Sequence, residues 1–196
     1  MNNKNVKIKS IQNLSNDCYK LDKINFDYKI KDGTWQNQSR ESYNRGDGAA
    51  ILLFNTNKKT VILTKQFRMP TYLNGNAEGM MIEVCAGLLD KDDALTCIKK
   101  EAEEEVGYEI SNPVKIFELF STPGAVTEKI HYFMAEYNDS MKISDGGGIE
   151  KETEEIEVLE IGFNKAFEMV LSGEICDAKT IILLQYAKIK NLLNNE

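Results

Sequence analysis

The chain has little that would support a disulfide framework or a zinc site. Its four cysteines, Cys18, Cys85, Cys97 and Cys176, are far apart with no CxxC pair, and His131 is its one histidine. Apolar runs of membrane-spanning length are lacking, and the opening Met1-Asn2-Asn3-Lys4 has no apolar core of a secretory signal, so a reducing, cytoplasmic setting is expected. Positive charge is also scarce. A formal net charge of −7 and a pI near 5.0 argue against general affinity for nucleic-acid phosphates, which depends on dense Lys and Arg. A small phosphate ester would need a few local cations or a recruited metal to offset the acidic background.

What is present is a soluble globular composition, 42% hydrophobic and 28% charged, over 196 residues, enough for one catalytic domain and a small extension. Residues 6 to 43 alternate apolar and polar around turn signals such as Lys31-Asp32-Gly33, predicting a β-rich extension with little core of its own. Boundaries are expected at 1–45 for this extension and 46–196 for the main domain. In the main domain, 49–55 and 60–67 predict a hairpin. Further strands are predicted over 81–84, 114–121, 130–137 and 156–161. The stretch 92–106 predicts a helix stopped by Gly107, with Leu95, Ile98 and Ala102 on one side. Residues 163–171 and 179–193 predict amphipathic helices, the second presenting Ile182, Tyr186, Ile189 and Leu193, with Asp177 as its cap.

The sharpest chemical feature is Lys100-Glu101-Ala102-Glu103-Glu104-Glu105-Val106-Gly107. Helix spacing places Glu101, Glu104 and Glu105 toward one face, where mutual repulsion calls for a neutralising partner and oxygen ligands suit Mg²⁺ or Mn²⁺. In isolation such a run reads as a solvated acidic face. Its context changes that reading: Cys85-Ala86-Gly87-Leu88-Leu89 precedes it, with Asp92 eight residues before Lys100.

From Gly87 to Tyr108 this pattern resembles the box of the Nudix hydrolases, with a loop one residue short, Asp92 in place of Glu and Lys100 in place of Arg. Lys100 with Asp92 can keep the family's structural ion pair. Over nearly the whole chain the sequence is similar to the GDP-mannose pyrophosphatase branch, close to the ADP-ribose pyrophosphatases. Tyr43-Asn44-Arg45-Gly46, Lys65-Gln66-Phe67-Arg68, Ser121-Thr122-Pro123-Gly124-Ala125-Val126-Thr127-Glu128 and residues 173–180 carry that likeness.

The resemblance implies an α/β fold, an α/β/α sandwich around a mixed sheet with an N-terminal antiparallel β extension exchanged between two subunits of a homodimer. It implies Mg²⁺ held by Glu101, Glu104, Glu105, the Ala86 carbonyl and an acid of the 145–155 loop, taken as Glu154, which can also serve as general base. Substrate contacts are implied for Ser39, Arg40 and Glu41 of the extension, and for Arg68, Ala86, Gly87, Leu88, Glu128 and Lys179. The implied reaction cleaves the diphosphate of a nucleotide sugar, GDP-mannose before ADP-ribose or another ADP-sugar. A nucleotide-binding regulatory domain without hydrolysis is the rival. Outside that context Arg68 reads equally as one half of a surface ion pair, Arg40 and Glu41 as strand-surface charges, and Trp35 as either a base-stacking or a packing residue.

Overall fold

The computed structural model describes residues 3–148 and 155–193. They form two compact units, one from the N-terminus to Asp47 together with Phe120–Lys129, the other Gly48–Leu119 and Ile130 onward.

The first unit is built on an antiparallel sheet of β1 (Val6–Asn16), β2 (Lys20–Lys29) and β3 (Trp35–Asn44), in that order. Alternating sequences and short polar turns make these strands, but β1 is exposed along almost its whole length, with Ile8, Ile11 and Leu14 open to solvent. Trp35 is engaged at the start of β3, where the Lys7 ammonium lies 4.0 Å from its ring centroid.

The second unit is the expected sandwich. Its mixed sheet runs β10 (Glu157–Gly162), β5 (Thr60–Phe67), β4 (Gly48–Asn55), β9 (Lys129–Glu136), β8 (Val114–Phe120), with β6 (Met80–Glu83) against β5 and β7 (Cys85–Leu88) against β4. The β4–β9 pairing is parallel, whereas β10–β5, β4–β5, β4–β7 and β5–β6 are antiparallel. Strand alternation sorts the core into two layers. Ala50, Leu52, Val61, Leu63, Tyr132 and Met134 face α3 (Phe163–Ser172) and α4 (Ala178–Ile189), whereas Ala49, Ile51, Leu53, Ile62 and Phe133 face α2 (Ala94–Glu105). Among the described residues no helix is long and apolar enough to cross a membrane.

The structure adds two short elements and adjusts the buried faces of two helices. Residues 85–88, left unassigned by the sequence reading, pair with β4 as a strand because Gly48–Ile51 offers a free edge to them. A short helix, α1 (Met69–Leu73), follows β5, with Pro70 in its first turn. The fully buried stripe of α4 is Thr180, Leu183, Leu184 and Ala187; of the expected set, Ile182 and Tyr186 are half-buried against this core, Leu193 is buried in it just beyond the helix end, and Ile189 is 74% exposed. The α4 sequence is apolar nearly all round, so periodicity alone did not decide which face the sheet would cover. On α2, Ile98 and Ala102 are buried as expected, while Leu95 is exposed and Cys97 takes its place.

Candidate active site

Helix α2 starts at Ala94, two residues later than its sequence pattern suggests, with Asp93 accepting from the Leu95 and Thr96 amides, and Gly107 adopts φ 77° just after it ends. Asp92 receives the Lys100 ammonium, so the substituted ion pair of the box forms. Glu105 is 3% exposed, and its Oε2 accepts from the Ala86 amide at 3.1 Å. Glu101 lies over Gly87 so closely that a Cβ there would fall within its carboxyl group and 2.7 Å from its Cγ. Glycine is therefore needed at 87 for close approach rather than for an unusual φ.

The three glutamates share one side of α2 but differ in burial. At about 100° per residue, Glu101 lies about 40° from Glu105 and about 60° from Glu104, with Glu105 buried, Glu101 half-buried and Glu104 exposed. Among the described residues no three His, Cys, Asp or Glu side chains form a ready-made metal cage. Glu152 and Glu154 lie outside the described residues. The base of their loop is seated on α2: Gly147 donates to the Glu105 carbonyl at 2.9 Å and Gly148 to the Glu104 carbonyl at 3.1 Å. Gly146 has φ 68°, and a Cβ on it would meet the Glu105 carbonyl oxygen at 2.5 Å. Beside the glutamates, burial and then the Glu105 charge push the Cys85 thiol well above its usual range, so it stays neutral.

Arg68 and Lys179, singled out separately as substrate contacts, share a partner that sequence reading missed. Glu83 is 4% exposed at the end of β6. Arg68 Nε reaches its Oε2 at 2.6 Å, and Lys179 pairs with its Oε1. Lys179 also meets Asp177 Oδ1 at 2.9 Å, so two carboxylates already engage its ammonium. Burial pushes the Glu83 carboxyl up, but Lys179 and Arg68 outweigh it and the group ends below its ordinary value. The signal was available in Met80-Met81-Ile82-Glu83-Val84-Cys85, a lone acid in an apolar run, which must find cations if buried.

Within the first unit, Ser39, Arg40 and Glu41 are exposed on β3. Arg40 Nη1 donates to the Ser39 carbonyl at 2.7 Å and Nη2 to Gln38 Oε1 at 3.3 Å. Arg40 and Glu41 border an open groove of about 440 Å³ with Phe120, Pro123 and Thr127. Glu128 is 8% exposed and not a solvated loop acid: Ser121 Oγ donates to it at 2.7 Å and Arg45 lies 3.5 Å away. Leu88, with Ala86 and Gly87, is half-buried on β7.

A two-sided α/β sandwich whose glutamate helix packs on a glycine-bearing strand agrees with the NUDIX domain, whose family model matches residues 44–170; the chain belongs to the Nudix hydrolases. Residues 5–43 match the model of the GDP-mannose pyrophosphatase NudK N-terminal domain. The GDP-mannose pyrophosphatase of Salmonella typhimurium strain LT2 is 52% identical over 181 residues, covering 92% of this chain and 94% of that protein. That of Escherichia coli O6:K15:H31 is 51% identical over the same shares.

Proposed function

We propose that this chain hydrolyses GDP-mannose to GMP and mannose 1-phosphate with Mg²⁺, or Mn²⁺ in its place. The observation that carries the reading is the pairing of Glu101 against Gly87 with buried Glu105 against Ala86, set in a chain half identical to GDP-mannose pyrophosphatases across nearly its full length. Two hard carboxylates suit a divalent cation, and Glu105, 3% exposed, is a charge that such an ion would neutralise.

Glu101, Glu105 and the Ala86 carbonyl would hold the metal, with Glu104 at the exposed rim and Glu154 as further candidate ligands. The ion would polarise the diphosphate and lower the pKa of a bound water. The chain's own contribution is placement. Gly87 admits Glu101, and the Ala86 amide fixes Glu105. Arg68, held by Nε, presents the rest of its guanidinium to an anionic oxygen. Ser39, Arg40, Glu41 and Glu128 of the first unit, and Ala86, Gly87, Leu88 and Lys179 of the second, are proposed nucleotide or sugar contacts.

A homodimer in a cytoplasmic setting completes the reading. It is supported by the match of residues 5–43 to the N-terminal family model and by Ile8, Ile11 and Leu14, which are 49%, 61% and 42% exposed on β1. Light scattering at twice the chain mass is expected, and a monomer would exclude a shared site.

The decisive test is turnover of GDP-mannose, GDP-glucose, ADP-ribose and ADP-glucose with Mg²⁺, with and without EDTA. GMP should form fastest from GDP-mannose and cease with EDTA. Faster AMP release from ADP-ribose would overturn the sugar-nucleotide assignment, and tight binding without products would make the chain a binding domain.

A further inference from the structure

The last turn of α2 carries Glu103, Glu104 and Glu105 and no basic residue, so its acids stand at the negative end of the helix dipole. A helix end also leaves up to four carbonyls without intrahelical partners, and such an end frays unless other donors reach it. Tyr108 supplies one locally, donating to the Ala102 carbonyl at 3.0 Å. The others come from far along the chain, where the Gly147 and Gly148 amides cover the Glu105 and Glu104 carbonyls. This covering segment is fixed on both sides. The Gly107 carbonyl accepts from the Ile143 amide at 2.8 Å, and the Gly147 carbonyl accepts from the Ile156 amide at 3.2 Å, where the chain returns toward β10. Where it crosses α2, backbone lies on backbone. A Cβ on Gly146 would stand 2.5 Å from the Glu105 carbonyl oxygen and 2.8 Å from Val106 Cα, with no flexible side chain there to yield. Gly146 and Gly147 also hold φ of 68° and 112°, which L side chains resist. Glu105 is thereby held at both ends, its carbonyl by Gly147 and its carboxylate by the Ala86 amide.

We propose that Gly146 and Gly147 are positioning residues for the metal-holding end of α2: they let the backbone of 146–148 lie directly on the last helical turn, and its amides fix where the Glu105 and Glu104 carboxylates meet a divalent cation. The inference rests on the metal-dependent pyrophosphatase reading above. Like charges crowded into one turn repel and loosen it while no cation is bound. Amides on the exposed carbonyls offset part of the negative end of the dipole and stop the turn from unwinding. The carboxylates are then in place before the ion arrives, and binding does not have to order them.

The test compares Gly146→Ala with Gly173→Ala. Gly173 ends α3 at φ 84° with open space around its Cβ position, so alanine there meets backbone strain of the same kind without touching α2. Binding of Mn²⁺ alone to the metal-free protein is followed by loss of the free-ion EPR signal, beside thermal melts and GDP-mannose kinetics across a Mg²⁺ titration. Gly146→Ala is expected to weaken Mn²⁺ binding about tenfold and to raise the Mg²⁺ needed for half-maximal rate by a similar factor, while KM for GDP-mannose at saturating Mg²⁺ stays within about threefold. Gly173→Ala should lower Tm comparably and leave Mn²⁺ binding within about twofold of wild type. Unchanged Mn²⁺ binding by Gly146→Ala would overturn the proposal even if kcat fell, since the effect would then lie beyond α2. If melting shows Gly146→Ala to be unfolded, Gly147→Ala decides by the same readout, because its Cβ would meet only the Ile156 carbonyl oxygen, at 3.8 Å, and the φ alone is strained. A wild-type protein that binds Mn²⁺ but hydrolyses neither GDP-mannose nor ADP-ribose refutes the pyrophosphatase reading, and the Mn²⁺ comparison still decides the positioning role. Absence of Mn²⁺ binding to wild type refutes the positioning role whatever the turnover.

Discussion

Replacing Gly87 with alanine is the smallest change that should separate the metal-holding geometry from the stability of the fold. The new Cβ would lie 2.7 Å from Glu101 Cγ and within its carboxyl group, so Cγ must retreat by about 0.7 Å to reach ordinary contact at 3.4 Å, and the carboxylate by more. Glu101 is a flexible, half-buried side chain, so the fold can respond by a rotamer change costing about 1 kcal/mol. For a chain of this size that lowers Tm by only about 2–4 °C. Catalysis is less forgiving, because a reacting group displaced by about 1 Å loses on the order of 100-fold in rate, about 2.7 kcal/mol of transition-state stabilisation. Initial rates of GDP-mannose hydrolysis across a Mg²⁺ titration, with a thermal melt on the same sample, give both numbers. A variant that melts near wild type and keeps its rate within threefold would show that the position of Glu101 is not what the site depends on.

Glu105→Gln keeps an oxygen for the Ala86 amide and should fold normally while kcat falls by about 10²- to 10³-fold, a loss of the size seen when one preorganised charge-stabilising group is removed; full activity would remove Glu105 from the metal site. The Glu83 cluster predicts a pH window. Glu83 sits below its ordinary 4.5, so its stabilisation is present above that value and fades as pH falls through the folded-state value. Lys179 sits above 10.5, so its share persists below that and fades as pH rises through its raised value. The Tm gap between wild type and Glu83→Gln should therefore be widest at about pH 5–10 and close in more acidic solution; a constant gap would mean that ionised Glu83 contributes nothing. Leu184→Ala, in the fully buried stripe of α4, should cost about 2–5 kcal/mol, whereas Ile189→Ala should stay within about 0.5 kcal/mol by urea denaturation. Reversed costs would put the other face of α4 against the sheet.

What could be read from the chain tracks the range of the interactions involved. Helix α2 and its ion pair lie within a span of about twenty residues, and periodicity and stop glycine act locally, so Lys100 with Asp92 and Gly107 were legible as they stand, whereas the cap at Asp93 was not singled out. The hairpin of β4 and β5 was equally plain, since β-prone runs on either side of a polar turn specify their own pairing. Strand β7 was not, because four residues with glycine at their centre become a strand only when the edge of β4 is offered to them. The buried charges follow the same division. Arg68, Glu83 and Lys179 were each visible, but separations of 15 and 96 residues hid the fact that they are one group. Two cations read singly suggest two hands for a phosphate. Joined through a buried carboxylate, they form one group, so a change at any of the three bears on the other two. Arg45 with Glu128 repeats the lesson in the first unit, where an acid expected to meet ligand from an open loop is already held by a hydroxyl and a guanidinium. Charged residues found by motif therefore need their buried counter-charges located before any of them is given a contact with substrate.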